Sequence, residues 1–386
     1  MVGILAVVPA VLVASAGVRA DAAWAAPWLV IWGVAALARP TALSMGWTVG
    51  VALVLRAVWT TGPPHLSDDV WRLLWEGKVL NAGLDPFASP PEMLAHLDSA
   101  LAARVNHPEM GSIYPPYALG WFRLLDGLGG TLGSARMATV AADVLTVALL
   151  HRRVSPKVGT AWAMLPFGVV ESAHGAHLDL VALPFAVLAV TSRVGAGWAV
   201  VGAGLKVFPV VLIPSLLRSV GLRGAAGFAA AVVGGAWLAL PVWNSAGLSD
   251  SLSVFAHHWS FNGLLFRPLA AAWGERVARG LVWAIAAGGA LGALGKSPTA
   301  AWRWLGTLFV VTSPVVHPWY VVWAVLPDLA WGRGVVVRAS VFLMGSYAVL
   351  STLRGSNWSE PPWLWWVTWG PAVGVVLVDL WRRRRA

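Results

Sequence analysis

Two adjacent carboxylates, Asp68 and Asp69, open the stretch "SDDVWRLLWEGKVLNAGLDPF" at residues 67–87. A carboxylate beside an acceptor hydroxyl can take its proton, and a pair can also hold a divalent cation. Arg72 and Glu76 follow Asp68 at steps of four, which places all three on one helical face. "NHPEMGSIYPPY" adds His107, Glu109 and Tyr114, and "ESAHGAHLD" adds Glu171, His174, His177 and Asp179. Lys206 interrupts an apolar run in "GLKVFP", where an ammonium group either snorkels to water or meets an anion such as a phosphate. "HHWSFN" contributes His257, His258 and Asn262, "HPWY" contributes His317, Trp319 and Tyr320, and "RGSNWSEPPW" contributes Arg354. Imidazoles beside aromatic rings can stack on a sugar or a polyprenyl chain and hydrogen-bond a phosphate. The H-x-x-H of His174 and His177 lacks a clear third ligand and no H-E-x-x-H is present. A polar patch lining a cavity therefore fits better than a zinc hydrolase. The sequence requires no metal and no other cofactor, although a divalent cation at the acid pair is compatible with it.

The elements that must hold these groups follow from local signals. Ser67 is a good N-cap, Gly83 a good C′ residue, and Pro86 blocks continuation, so the spacing predicts a helix over 68–82. Trp71 and Trp75 share the neighbouring face and suit a headgroup boundary. A second helical period runs near 92–104. Both are read as helices lying in the interface plane, within a polar stretch at 61–133. The plain alternative is a capped interfacial helix with an acid–base pair, but two adjacent like charges exceed what capping needs. Tyr114-Pro115-Pro116 fits a turn that starts another helix.

The 386-residue chain is 58% hydrophobic and only 11% charged, against about 25% charged in soluble domains. Its mean hydropathy is +0.71. Apolar runs recur at 2–18, 22–38, 42–60, 134–150, 158–172, 177–192, 196–217, 223–242, 277–295, 299–313, 318–331, 335–352 and 362–380. They predict an all-α, polytopic helical membrane protein of about 12–14 spans or half-spans, with 1–386 as one integral membrane domain. Alternation over short segments, the mark of a membrane β-barrel, is absent. The N-terminal run lacks a basic n-region and is read as a first membrane helix rather than a signal peptide. Lys206 and Pro209 in the middle of 196–217 predict two half-helices that enter and leave on one side. There is no cysteine, which excludes disulfides and thiolate metal sites.

The net charge of +10 comes from 27 Lys and Arg against 17 Asp and Glu. The cations sit mostly at the ends of apolar runs, so the positive-inside rule explains them and nucleic acid need not be invoked. Cytoplasmic assignment of Arg382 to Arg385, of His151-Arg152-Arg153 with Lys157, of Arg218 with Arg223 and of Arg333 with Arg338, with 196–217 as a re-entrant pair to keep the parity, puts 61–133 on the extracytoplasmic side. The polar motifs then fall together on the extracytoplasmic side of a multi-pass cell-membrane protein with a cytoplasmic C-terminus. One polar cavity is the simplest account of that grouping.

In their order, "SDDVWRLLWEGKVLNAGLDPF", "NHPEMGSIYPPY", "ESAHGAHLD", "GLKVFPVVLIP", "FAHHWSFN" and "SPVVHPWYVVW" resemble the GT-C superfamily of membrane glycosyltransferases. They look most like bacterial polyprenol-phosphomannose-dependent α-mannosyltransferases, over roughly residues 60 to 330. Trp71 stands where that family often has Tyr. The resemblance implies a sugar donor carried on a polyprenyl phosphate, a lipid or glycan acceptor in the cell envelope, and an inverting transfer in contact with membrane lipid. It implies that Asp68 or Asp69 is the base on the acceptor hydroxyl. Lys206, His257 or His258, and Arg354 are then candidates to clamp the leaving phosphate, and Arg72 either orients the acid or meets that phosphate. Two other readings stand beside it. A transporter or flippase for a lipid-linked sugar fits the broken 196–217 run, and an inert membrane scaffold would leave the acid pair without a purpose.

Overall fold

Pro166 and Pro209 divide two of the apolar runs, and their effect shows how local chemistry sets this architecture. In the computed structural model, which describes residues 11–17, 22–38, 41–218, 220–242, 251, 253–254, 257, 259–353 and 359–385, all regular structure is helical. The one pairing of extended backbone among these residues is a bridge of Phe261 and Asn262 with Val315. Four helices, Leu132–Arg153, Leu222–Val242, Val335–Thr352 and Pro362–Arg385, are long and apolar enough to cross a bilayer. These are the lengths and compositions of a multi-pass membrane protein, since a hydrocarbon core of about 30 Å needs about 20 helical residues. Leu222, Val233, Trp237, Trp366 and Leu377 are all exposed on them. Such apolar exposure suits a hydrocarbon solvent better than water.

Other apolar runs form shorter helices, among them Met45–Trp59, Leu178–Thr191 and Gly195–Leu205. The run expected as one span at 158–172 is two helices, Pro156–Met164 and Pro166–Ala173. Leu165 between them is extended, with ψ 138°, because the ring of Pro166 disfavours α geometry in the residue before it. Of the run at 2–18, only residues 11–17 are described, and they are helical.

The chain divides into two compact units. One comprises Met1–Trp59, Val147–Glu171 and Ser260–Ala386. Small residues let its helices approach: a Cβ on Gly33 would lie 2.5 Å from Val341 Cγ1, and one on Gly306 would lie 2.1 Å from the Trp323 carbonyl oxygen. Polar groups inside are matched to carbonyls. The Trp32 indole donates to Met164 O at 2.8 Å, and the buried Arg56 guanidinium donates to Ala52 O and Ala163 O.

The other unit comprises Thr60–Thr146 and Ser172–Trp259. It holds a helical hairpin. Gly195–Leu205 ends at Lys206, whose backbone is extended (φ −142°, ψ 130°), and Phe208–Leu212 and Ile213–Leu217 lead back. Gly195 lies against Leu216 and Gly202 against Pro209, so the two halves run antiparallel, as the mid-run Lys206 and Pro209 predict. Lys206 is at the tip and pairs with Asp179 at 3.0 Å.

The Asp69–Asn81 helix belongs to the same unit. Its C-terminus is a Schellman motif. Gly83, at φ 75°, donates to Leu80 O, and Leu84 donates to Val79 O. Its two apolar faces bury separately: Val70 and Leu74 pack with Leu125, Ala135 and Ala176, while Trp75 and Val79 pack with Ala102 and Val105. Trp75, expected at a headgroup boundary, packs inside this unit instead. Trp75 is 1% exposed, because the 91–105 segment covers it, and Glu76 is equally buried, beside Arg72 and Ser112. The 92–104 period likewise resolves into a 3-10 turn at Pro91–Leu97 and a short helix at Ser99–Ala102. Gly77 permits the close approach of the Pro116–Gly127 helix, since a Cβ there would lie 2.2 Å from Phe122 O.

Candidate functional site

Ser67 does not cap the acid helix in the expected way. Asp68 occupies the N-cap position with no side-chain cap bond, and the Ser67 hydroxyl accepts from the Asp69 N–H at 3.3 Å. This turn presents both carboxylates to one neighbour. Asn106 Nδ2 donates to Asp68 Oδ1 and to Asp69 Oδ1, each at 3.0 Å. The two acids differ in burial. Asp68 is exposed, whereas Asp69 is partly buried, with 37% of its side chain open.

Asp69 is the centre of a group drawn from four segments. His177 Nδ1 lies 3.8 Å from Asp69 Oδ2. The imidazole is 3% exposed and is aimed by the turn before it. Ala176 has φ 52°, and Gly175 leaves room for the ring, because a Cβ there would lie 2.4 Å from His177 Cδ2. The field of the Lys206–Asp179 pair reaches Asp69. Burial pushes the Asp69 carboxyl up to about 6, and the negative charge of Asp68 adds to the rise. Lys206 and the Asn106 hydrogen bond pull the other way, and Asp179 raises it further. A carboxyl titrating near 6 is about nine-tenths ionised at pH 7 and remains a stronger base than an ordinary aspartate.

Further along the same helix are Arg72 and Glu76. Arg72 donates to Met110 O at 2.9 Å and to His107 O at 3.1 Å, and its guanidinium lies 3.9 Å from Glu76. Arg72 therefore ties down the loop that carries Asn106. Burial lifts the Glu76 carboxyl to about 7, against the opposing pull of Arg72 and of a hydrogen bond from Ser112. Tyr114 is held above its ordinary range by burial and by Asp69. His107, at φ 49°, is 3.5 Å from Glu109 and places its ring 4.7 Å from that of Trp259.

The remaining candidates spread further. His174 is buried, its ring 6.4 Å from that of His65, and its carbonyl accepts from Arg136. Arg136 also donates to Thr60 O and Gly62 O, which fixes the approach to the acid turn. His257 is exposed, with Nδ1 2.8 Å from Ser253 O. His258 and Arg354 lie outside the described residues. Asn262, His317, Trp319 and Tyr320 belong to the other unit. There His317 stacks between Phe261 (4.6 Å) and Trp319 (4.3 Å, 2° between planes), with Tyr320 edge-on. Asn262 is a structural centre: its N–H donates to Glu360, its Oδ1 accepts from Thr368 and its carbonyl from Trp369. Glu171 is also in that unit, 3.0 Å from the Tyr347 hydroxyl through both oxygens.

Among the described residues no three His, Asp or Glu side chains converge as a metal site. Sequence reasoning passed over Asn106, His65, Ser112 and Arg136. Asn106 stands directly before the quoted His107, but nothing local marks it, since its partners are 37 and 38 residues away. Comparison with known proteins gives no match to a family, to a curated protein or to a solved structure.

Proposed function

We propose that the chain is a membrane glycosyltransferase that moves a sugar, mannose by its motif resemblance, from a polyprenyl phosphate to a hydroxyl of a lipid-linked or glycan acceptor. The observation that carries this reading is Asp69. It is an accessible carboxylate raised to about 6, beside His177 and Asn106, with a lysine at a helix break close by. Asp69 takes the acceptor proton as the acceptor oxygen bonds to the anomeric carbon. The bond from that carbon to the phosphate oxygen breaks, its electron pair leaves on the phosphate, and the anomeric centre inverts. The leaving group is a stable anion, so it needs a cation more than an acid, and Lys206 supplies the charge. Asp68 shares Asn106 with Asp69 and sharpens its basicity as a neighbouring negative charge. By the positive-inside rule the arginine-rich ends face the cytoplasm, which puts this chemistry on the extracytoplasmic side.

The test uses purified protein with radiolabelled polyprenyl-phosphate-mannose and a lipid and glycan extract from the host. Label should pass to an acceptor with wild type, and Asp69→Asn should lose that transfer while still binding donor. Donor bound but never consumed by wild type would sink the transferase reading. It would favour the transporter, which the broken hairpin at Lys206 supports.

A further inference from the structure

The hairpin unit has a second end. Asp179 sits in the first turn of Leu178–Thr191, and Ser192 follows its last turn, about 20 Å away along a helix of that length. A cavity of about 550 Å3 lies there, lined by Ser192, Arg193, Leu216, Val220, Leu222 and Arg223 and by the backbone of Gly195 and Gly224. We propose that this cavity binds the phosphate of an anionic membrane lipid, an inference that does not rest on the transferase reading.

Three independent observations support it. Charge comes first. Between Asp179 and Asp250 the chain has no acidic residue, while Arg193, Lys206, Arg218 and Arg223 fall in that interval. Among the described residues neither Arg193 nor Arg223 has a carboxylate partner. Both arginines are exposed where they line this cavity, so their guanidinium groups are accessible to an anion held there. Hydrogen bonding comes second. The Ser192 hydroxyl oxygen is buried and has no hydrogen-bond partner among the described residues, an arrangement that costs free energy unless water or a ligand satisfies it. The first turns of Gly195–Leu205 and Leu222–Ala239, neither closed by a capping side chain, also border the cavity.

The third observation separates a lipid from a free anion. Leu222 is 88% exposed, and Leu217 and Val220 are exposed nearby. This apolar surface adjoins the cations at the start of the Leu222–Val242 span. A soluble phosphate gains nothing from it, whereas a lipid sets its headgroup on the arginines and its acyl chains along the leucines. Basic pockets between membrane helices bind acidic headgroups in this way.

The full chain, purified in a mild detergent with mixed phosphatidylglycerol and phosphatidylcholine, is examined by native mass spectrometry. Phosphatidylglycerol should be retained in preference to phosphatidylcholine. Each arginine is expected to contribute roughly fivefold in affinity, so the Arg193→Gln/Arg223→Gln pair should weaken retention by roughly 25-fold. The Arg193→Lys/Arg223→Lys pair should keep most of it. Leu222→Ser, at an exposed position that leaves packing intact, should also lower retention even if the double glutamine variant does not fold. Asp69→Asn should retain the lipid as wild type does, which keeps this test separate from that of the transferase. Equal retention of the two lipids, or retention unaffected by all of the arginine and Leu222 substitutions, would overturn the proposal. Displacement of the lipid by an equal concentration of inorganic phosphate would show a small-anion site and overturn the lipid assignment.

Discussion

Asp68 and Asp69 carry the same functional group one residue apart, and their surroundings divide their roles. Asp69 is flanked by His177 and reached by the field of Lys206, while Asp68 stands in solvent. If the chain is the proposed transferase with Asp69 as its base, Asp69→Asn should lower transfer by about 10²–10⁴-fold, the usual range for losing a general base. Asp68→Asn should cost far less, and it should move the pH dependence of transfer downward, because it removes a charge that raises Asp69. Asn106→Ala should move it upward, because the Asn106 hydrogen bond favours the ionised carboxylate. Steady-state rates across pH separate these effects. Glu76 gives a stability prediction. Its carboxyl is raised from 4.5 to about 7 in the folded state. Its contribution is thus complete below about pH 4.5 and is lost as pH rises through about 7, by on the order of 3 kcal/mol. Thermal unfolding should show wild type weakening from pH 5 to 8 relative to Glu76→Gln, and parallel curves for the two would contradict this.

At the scale of elements, local chemistry was legible and coverage was not. Gly83 and Pro86 announce the end of the acid helix, and Lys206 with Pro209 announces the break in the hairpin, because both effects act within a few residues. The fate of Trp75 was hidden. A tryptophan on an amphipathic helix reads as interfacial until a distant segment is known to cover it, and here Ala102 and Val105 do so. The break at Leu165 was in principle readable from Pro166, but an unbroken apolar run concealed it. Trp75→Ala should destabilise by about 3–5 kcal/mol, as for other buried aromatics. A change below about 1 kcal/mol in apparent unfolding free energy would return that side chain to the membrane interface. The candidate site was read in part for the same reason. Its ionisable members were visible by type, whereas Asn106, a neutral amide acting over 37 residues, was not.

For the whole molecule, the proposed chemistry requires the acid group and the arginine-rich ends on opposite sides of the membrane. Within the hairpin unit the acid group and the arginine cavity stand at opposite ends of Leu178–Thr191. The absence of cysteine makes this directly testable, because any introduced thiol is the only one in the chain. In intact cells, Ser67→Cys should react with a membrane-impermeant maleimide. Arg193→Cys and Arg384→Cys should react only after the membrane is opened. Labelling of all three from outside would remove the assignment of the acid group to the extracytoplasmic side.

The proposal that Asp69 is the base for sugar transfer is tested by the rate of transfer by purified protein between pH 4.5 and 8. Wild type should be level above about pH 6 and fall about tenfold for each unit below it. Asp69→Asn should be slow and flat throughout. An Asp69→Asn variant that follows the wild-type curve would contradict that role, whereas a wild-type rate that holds level to pH 5 would place the Asp69 carboxyl below 6.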